Sequence, residues 1–464
     1  MSAAADGPAE ARLPDGPLLS FHGDDYTGSS AVMEVLSFAG LPTVLFLGTP
    51  TPDQLARFNG MRAVGIAGVA RSMPPEWMDA HLPAVFEALA RIGAPLAHYK
   101  VCSTFDSAPH VGSIGRAIEI ARPILGGDWV PLVVAAPAIA RYQAFGNLFA
   151  AIDGRGFRLD RHPVMARHPV TPMGEADVRA HLARQTDLPI GLVDFVAMKA
   201  GDADARLAAE RAQGRRIVAL DVLDGETLEE AGRLVWQHRG VRLFAVGSQG
   251  LEYALVAHWR RAGLLPPDMP TAAAPARERL AVVSGSCSPI TAGQIAHALD
   301  HGFEGVRLEA ARAVDASVWN AELARGAAEA LRLLGEGRDP LVFTASGPDD
   351  TAVPALAEAI ATAGAAVGTV NARIGDGLGR VLDEVVRTAG LERAVISGGD
   401  TSGHAAMALG IYAVTALAPL APGAPLCRAY AEGAHDGLEL AFKGGQMGRP
   451  DFFCAAKLGG MPNR

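Results

Sequence analysis

Along most of its length the chain repeats one phrase: a short run of Val, Leu and Ile, a turn of Gly, Ser and Asp, then a stretch of helical period. "GPLLSFHG" leads through "DDYTG" into "SSAVMEVLSFAG", where Val32, Val35, Leu36 and Ala39 recur at helical spacing. Gly40 can close that helix, Pro42 discourages its continuation, and "TVLFLG" follows as the next strand. The same phrase returns in "RRIVALDVLDGETLEEAGRLVW", "LFAVGSQGLEYALVAHW", "LAVVSGSCSPITAGQIAHALDHG", "PLVFTASGPDD" and "RAVISGGDTSGHAAMALGI". Strands that alternate with helices predict an α/β architecture with largely parallel sheets flanked by helices. In such folds ligands collect at the carboxyl ends of the strands, where these turns lie.

A chain of 464 residues exceeds what one compact core usually serves, so two domains are expected, each with its own largely parallel β-sheet. The segment from 260 to 280, "RRAGLLPPDMPTAAAPARERL", is rich in proline and alanine and has no clear period, as an interdomain linker would be. The resulting division is a disordered leader over 1–17, a first domain over 18–262, a linker over 263–279 and a second domain over 280–464. Hydrophobic content of 49% with 20% charged residues describes an ordinary globular protein. A net charge of -9 argues against nucleic acid or an anionic membrane surface as partner. No apolar stretch approaches the roughly 18 residues of a membrane span, and the N-terminus lacks the pattern of a secretory signal. Cys102, Cys287, Cys427 and Cys454 are scattered without CxxC spacing, which predicts reduced thiols in a cytoplasmic protein and no structural zinc site.

The turns carry the chemistry. After the proposed linker, "VVSGSCSPIT" gathers Ser284, Ser286, Cys287 and Ser288. "ISGGDTSG" places Gly398 and Gly399 before Asp400, Thr401 and Ser402 at a helix start, and "AFKGGQMG" places Lys443 before Gly444, Gly445 and Gly448. Glycines let backbone N–H groups approach phosphate oxygens, and a helix N-terminus favours an anion. Each turn alone is also an ordinary strand-to-helix connection, and Asp400, Thr401 and Ser402 are ordinary N-cap residues. None fits the P-loop or dinucleotide pattern. In the first domain, adjacent Asp24 and Asp25 read locally as turn and cap residues. Arg71 follows the apolar run "AVGIAGVA", and "HYKVCSTFDSAPHVGSIGRAIE" packs Lys100, Ser103, Thr104, Asp106, Ser107, His110, Ser113 and Arg116 into a short span. Cations and hydroxyls in that density suit a polyhydroxy acid. Only four residues of the basic set are lysines, Lys100 and Lys443 among them. The scattered His98, His110 and His404 show no metal-ligand spacing.

Taken in order, DDxTG, KxCST…GSIG, "HPVTPM", GSCSxxTxxQI, SGGDTSG and KGGxxG resemble the four-carbon acid sugar kinase family from about residue 18 to about 453. The resemblance implies an N-terminal domain that binds a sugar acid and a C-terminal domain that binds ATP. It implies phosphorylation of a terminal hydroxyl of a 3-oxo-tetronate, a tetronate or a relative, with Mg²⁺ accompanying the nucleotide. Carried over by motif, Asp24, Asp25, Arg71, Lys100 and Ser103 fall on the sugar side, with Asp106 beside them. Ser286, Ser288, Gly398, Gly399, Asp400, Thr401, Gly444 and Gly445 fall on the nucleotide side, joined by Lys443. Asp24 or Asp25 would orient or deprotonate the acceptor hydroxyl, and the motif leaves the choice open. Three departures stand out: Tyr26 where leucine is usual, Asp400 where glutamate is usual, and "CSTFDSAPHVGSIG" where the family writes D-S-T-L-R-G-N-I-G. Loss of that arginine and asparagine points to a different acid, with the branched 3-oxo-isoapionate a serious candidate. The rival readings are an acid-sugar dehydrogenase or aldolase and a non-catalytic sugar-acid sensor.

Overall fold

The structure is a computed structural model that describes residues 12–152, 154–168, 170–268 and 271–460. The first half of the chain contributes β1 (Leu19–Gly23), β2 (Thr43–Phe46), β3 (Ala63–Ile66), β4 (Leu96–Lys100), β5 (Val130–Val133), β6 (Arg141–Ala144), β7 (Asn147–Ile152), β8 (Arg155–Arg158), β9 (Ile190–Val193), β10 (Ile217–Leu220) and β11 (Leu243–Gly247). The second half contributes β12 (Ala281–Ser284), β13 (Phe303–Arg307), β14 (Asp339–Phe343), β15 (Arg393–Ser397), β16 (Ile411–Ala421), β17 (Ala424–Ala431) and β18 (Glu439–Lys443). Both parallel runs predicted from the apolar phrases are present, flanked by helices.

The two runs share one sheet. Its order is β13-β14-β12-β15-β18-β17-β16-β2-β3-β1-β4-β11-β5-β10-β9. Within this sheet, the pairings among the first-half strands are parallel, as are those among β13, β14, β12, β15 and β18. The join is antiparallel: Val44 faces Thr415, Leu45 faces Val414 and Phe46 faces Ala413. The long β16–β17 hairpin and its pairing with β18 are antiparallel as well. A second sheet, β6-β7-β8, is a small antiparallel meander that the apolar pattern does not announce.

Central strands read as continuous apolar runs because helices cover both faces, and every residue of β4 and β11 is buried. The helix Tyr26–Phe38 begins where Asp25 accepts the Gly28 N–H, and Pro289–Asp300 begins at Ser288 with proline at its first position. Tyr26–Phe38 also bridges the halves. Its Ser30 Oγ donates to the Gly423 carbonyl at 3.2 Å, and Glu34 accepts from the Gly423 N–H. Tyr26 packs so closely on Gly403 that a Cβ there would meet the Tyr26 ring at 2.3 Å. The departure at position 26 therefore belongs to the seam between the halves.

Part of the expected leader is held in place. Leu13 is buried, and the Arg62 guanidinium donates to the carbonyls of Pro14 and Gly16, while residues 1–11 lie outside the described residues. The far end of the expected linker binds the second half through Ala274 N–H to Gly459 O at 2.8 Å and Arg277 N–H to Lys457 O at 2.9 Å. Beneath it, Arg393 is fully buried. Its guanidinium meets Glu439 at 2.5 Å and donates to the carbonyls of Pro275, Ala456 and Lys457, while Arg277 also pairs with Glu439 at 2.8 Å. Replacing Glu439 by leucine leaves a buried guanidinium without its carboxylate. The expected cost is about 3–5 kcal/mol of stability, read from denaturant unfolding of the whole chain.

Candidate functional site

Asp24 and Asp25 lie at the carboxyl end of β1, with β3 on one side and β4 on the other. The Asp24 N–H bonds the Lys100 carbonyl at 2.9 Å, and the Arg71 N–H bonds the Asp24 carbonyl at 3.0 Å, so three strand ends are tied together through one residue. The Arg71 guanidinium bridges both carboxylates, reaching Asp24 Oδ1 at 2.6 Å and Asp25 Oδ1 at 2.8 Å. Asp25 additionally accepts from Thr27 Oγ1 at 2.7 Å and from the Gly28 N–H at 2.9 Å. A Cβ on Gly28 would stand 2.3 Å from Asp25 Oδ1 and 2.8 Å from Lys100 Nζ. The glycine of DDxTG is thus required by charged groups packed over it.

The two aspartates differ in electrostatics. Asp24 is almost fully enclosed, with its side chain 3% exposed against 24% for Asp25. Burial raises Asp24 above the usual carboxylate range despite Arg71, and the neighbouring Asp25 charge adds to the rise. Asp25 is also subject to burial, but Arg71, Lys100 and the Thr27 and Gly28 hydrogen bonds outweigh it and hold the carboxyl below its ordinary value. Environment separates two adjacent like groups into one ionised carboxylate and one with a stronger hold on its proton.

The loop after β4 forms the next wall. Lys100 is buried and its Nζ donates to the Val101 carbonyl at 2.7 Å. Ser103 is half-buried, and Asp106 is buried, accepting from Thr104 Oγ1 at 2.8 Å. Thr104 in turn meets Cys102 Sγ at 3.0 Å, and burial next to Asp106 lifts the Cys102 thiol to about 11, so it is neutral. Phe105 adopts a left-handed backbone with φ of 58°, strain that the surrounding packing must hold. Ser107 supplies some of that hold, bonding His181 Nε2 at 3.0 Å and accepting from Gln185 Nε2 at 2.9 Å. Farther along this span, His110 is exposed, and Arg116 pairs with Asp79 at 2.6 Å and Glu119 at 2.9 Å. His98 is packing, its Nδ1 meeting fully buried Glu252 at 2.7 Å.

Sequence reasoning missed Arg141, His162 and Asp221, which belong to the small sheet and its surroundings. Asp221 staples that sheet to the main one by accepting the N–H groups of Phe145 at 2.6 Å and Gly146 at 2.9 Å. None of the three sits in a glycine-rich turn or in a motif of fixed spacing, so no local signal marked them.

The nucleotide-side turns converge at the carboxyl ends of β12, β15 and β18, which are neighbours in the sheet. Thr291 is their hub. Its Oγ1 accepts from Lys443 Nζ at 3.0 Å, meets Ser286 Oγ at 3.0 Å and Ser288 Oγ at 3.1 Å, and donates to the Gly445 carbonyl at 3.2 Å. Ser288 also donates to the Gly445 carbonyl. A Cβ at Gly445 would come within 2.9 Å of Ser286 Oγ, and one at Gly398 within 2.8 Å of Thr401 Oγ1. Gly398, at φ of 129°, precedes the helix Gly399–Ala408 without a side-chain cap, which leaves its first N–H groups available to an anion. The side chain of Asp400 lies outside the described residues. Lys443 is completely buried, with no carboxylate partner among the described residues, and that burial lowers its ammonium to about 8. Such a cation fits a polyphosphate.

The two motif sets meet. A Cβ on Gly444 would lie 3.6 Å from the Thr27 methyl group, the same threonine whose hydroxyl bonds Asp25. Turns more than 400 residues apart in sequence thus lie side by side.

Comparison with known proteins agrees with this division. A family model described as a sugar-binding N-terminal domain matches residues 19–255, and one described as a nucleotide-binding C-terminal domain matches residues 281–453. The 3-oxo-isoapionate kinase of Paraburkholderia graminis is 50% identical over 447 residues, covering 96% of this chain and 95% of its own. The 3-oxo-tetronate kinase of Cupriavidus necator is 32% identical over 450 residues, covering 96% and 98%. A solved Haemophilus influenzae protein of a domain family of unknown function superposes with a TM-score of 0.71 at 25% identity, covering 94% of this chain and 99% of its own. With both halves matched in order and relatives aligned from end to end, the chain belongs to the four-carbon acid sugar kinase family.

Proposed function

We propose that this protein transfers the γ-phosphoryl group of ATP to a terminal hydroxyl of a branched 3-oxo acid sugar of the 3-oxo-isoapionate kind. The contact of Thr27 with Gly444 carries the reading, because it sets an acceptor-side carboxylate beside a phosphate-side turn. The choice of acid rests on the 50% identity to the Paraburkholderia graminis enzyme and on the altered 102–115 loop, in which Asp106 replaces the usual cationic chemistry.

Asp25 is the group that faces the acceptor hydroxyl. It is ionised, partly open to the cleft and held in place by Thr27 and the helix start, so it orients the hydroxyl and accepts its proton as the new P–O bond forms. Asp24 fixes Arg71 and has too little exposure to reach substrate. Lys443, the open start of the Gly399–Ala408 helix and the hydroxyls of Ser286, Ser288 and Thr401 hold the phosphates. Among the described residues no group of three His, Cys, Asp or Glu could hold a metal ion, so Mg²⁺ would arrive on the nucleotide and supply charge neutralisation there. Phosphoryl transfer depends mainly on positioning, which is what these fixed groups provide.

Release of ADP measured across tetronates, 3-oxo-tetronates and 3-oxo-isoapionate tests the assignment. Fastest turnover is expected with the branched acid; ATP binding without ADP release on any acid would leave a sensor, and NAD binding would leave a dehydrogenase. Asp25→Asn should lower kcat on the order of 10²–10⁴-fold while ATP affinity holds. Asp24→Asn should act instead by loosening Arg71, raising KM and lowering the thermal midpoint. Lys443 gives a pH prediction. Its pKa falls from 10.5 to about 8 on folding, so between those values the unfolded chain holds more protons and unliganded stability rises with pH. ATP favours the charged ammonium, so binding takes up a proton and weakens as pH rises through about 8. Calorimetry in buffers of different ionisation enthalpy reads that proton directly, and Lys443→Met should abolish it.

A further inference from the structure

Arg71 is engaged by two carboxylates, and Lys100 is buried with its Nζ on the Val101 carbonyl. Arg71 is therefore not free to neutralise the carboxylate that defines an acid sugar, and the buried Lys100 ammonium lies next to Asp25, at the end that holds the acceptor hydroxyl. A cation on another element would hold the far, acid end of the substrate.

Arg141 fits that need. It opens β6, where its Nη1 donates to the carbonyls of Ile139, Ala140 and Ala151 at 3.2, 3.2 and 3.4 Å. These contacts hold the guanidinium without neutralising it, and among the described residues no carboxylate forms an ion pair with it. Its Nε is buried and has no acceptor. His162 shows the same deficit. Its Nδ1 accepts from the N–H groups of Val164 and Met165, both at 3.2 Å, so the ring proton resides on Nε2. That Nε2 is buried without a partner, on a residue 5% exposed. A buried donor left unpaired is costly unless a ligand completes it.

The small sheet brings the two together. Arg141 faces Ala150 across β7, and Ala150 faces Phe157 across β8, so Arg141 and Phe157 share one face of the sheet. The His162 ring packs edge-on against Phe157 with centroids 5.9 Å apart. The small sheet is tied to the segment around the helix Val178–Leu182 by the Leu148 N–H to Ala176 carbonyl bond at 2.8 Å, and His181 of that helix bonds Ser107 at 3.0 Å. This sheet therefore lies beside the loop after β4, where the Arg141 charge acts on Cys102 and Asp106.

We propose that Arg141 and the Nε2–H of His162 bind the carboxylate of the acid sugar, with Asp106, held by Thr104, accepting an adjacent hydroxyl. The substrate then lies with its acid end on the small sheet and its terminal hydroxyl toward Asp25. The proposal rests on the acid-sugar kinase reading, deepens it, and makes β6–β8 the element that tells acids from neutral sugars.

The test compares the branched 3-oxo acid with the neutral ketose in which that carboxylate is replaced by hydrogen. Arg141→Met should lower kcat/KM for the acid on the order of 100-fold and leave that for the neutral ketose near wild type. His162→Leu should act in the same direction, and Arg141→Lys should recover part of the loss. Calorimetric binding of the acid without ATP reads the same site independently of turnover, and an unchanged ATP affinity shows that each variant is folded. Equal losses on acid and ketose, or no loss of acid binding, would overturn the assignment. Absence of any acid-sugar turnover by the unmodified protein would instead overturn the kinase reading.

Discussion

The antiparallel pairing of β2 with β16 is the contact on which the site depends. It fuses two parallel runs into one sheet of fifteen strands and makes them run in opposite senses. In a flat sheet, opposite senses would put the two sets of carboxyl ends at opposite edges. Natural twist of about 20–25° per strand pair, accumulated from β1 to β18, turns those edges toward each other. The helix Tyr26–Phe38 completes the turn, because it leaves the acceptor motif at its N-terminus and packs on the β16–β17 hairpin and the Gly399–Ala408 helix. The Gly423 contacts of Ser30 and Glu34, and that of Tyr26 with Gly403, fix this orientation.

Within that frame the chemistry divides by environment. On the sugar side, fixed charges are paired internally: Arg71 holds Asp24 and Asp25, and Asp25 retains an ionised, partly open carboxylate. On the nucleotide side, the described acceptors of Lys443 are the neutral Thr291 hydroxyl and the Gly444 carbonyl. On the proposed assignment, one side receives a proton and the other negative charge, the asymmetry phosphoryl transfer needs. Two of the four lysines in the chain, Lys100 and Lys443, are the buried ones at this cleft, whereas Lys199 and Lys457 form ion pairs elsewhere.

Much of this was legible in the sequence. The alternation of apolar run, turn and helical stretch gave the parallel strands, and turn composition located Asp24, Asp25, Lys100, Ser286, Thr401 and Lys443 at strand ends. What was not legible depends on tertiary contact. Nothing local marks Val44 and Thr415 as partners across the seam. The short strands β6–β8 mix arginine, glutamine, asparagine and glycine with apolar residues, so their pattern is too weak to declare a sheet. Arg141 and His162 are visible only once burial shows that their donors lack acceptors. The span after β4 is mixed: of its dense polar residues, Arg116, on the helix that follows, is taken up in ion pairs with Asp79 and Glu119.

Direct transfer across the Thr27–Gly444 contact is the central claim, and the stereochemistry at phosphorus tests it most directly. ATP made chiral at its γ-phosphorus with oxygen isotopes would be turned over with the branched 3-oxo acid, and the configuration of the phosphate ester determined. A single in-line transfer between the facing turns predicts inversion. Retention would mean that an enzyme group carries the phosphoryl between two displacements, which contradicts a site built only to position acceptor and donor.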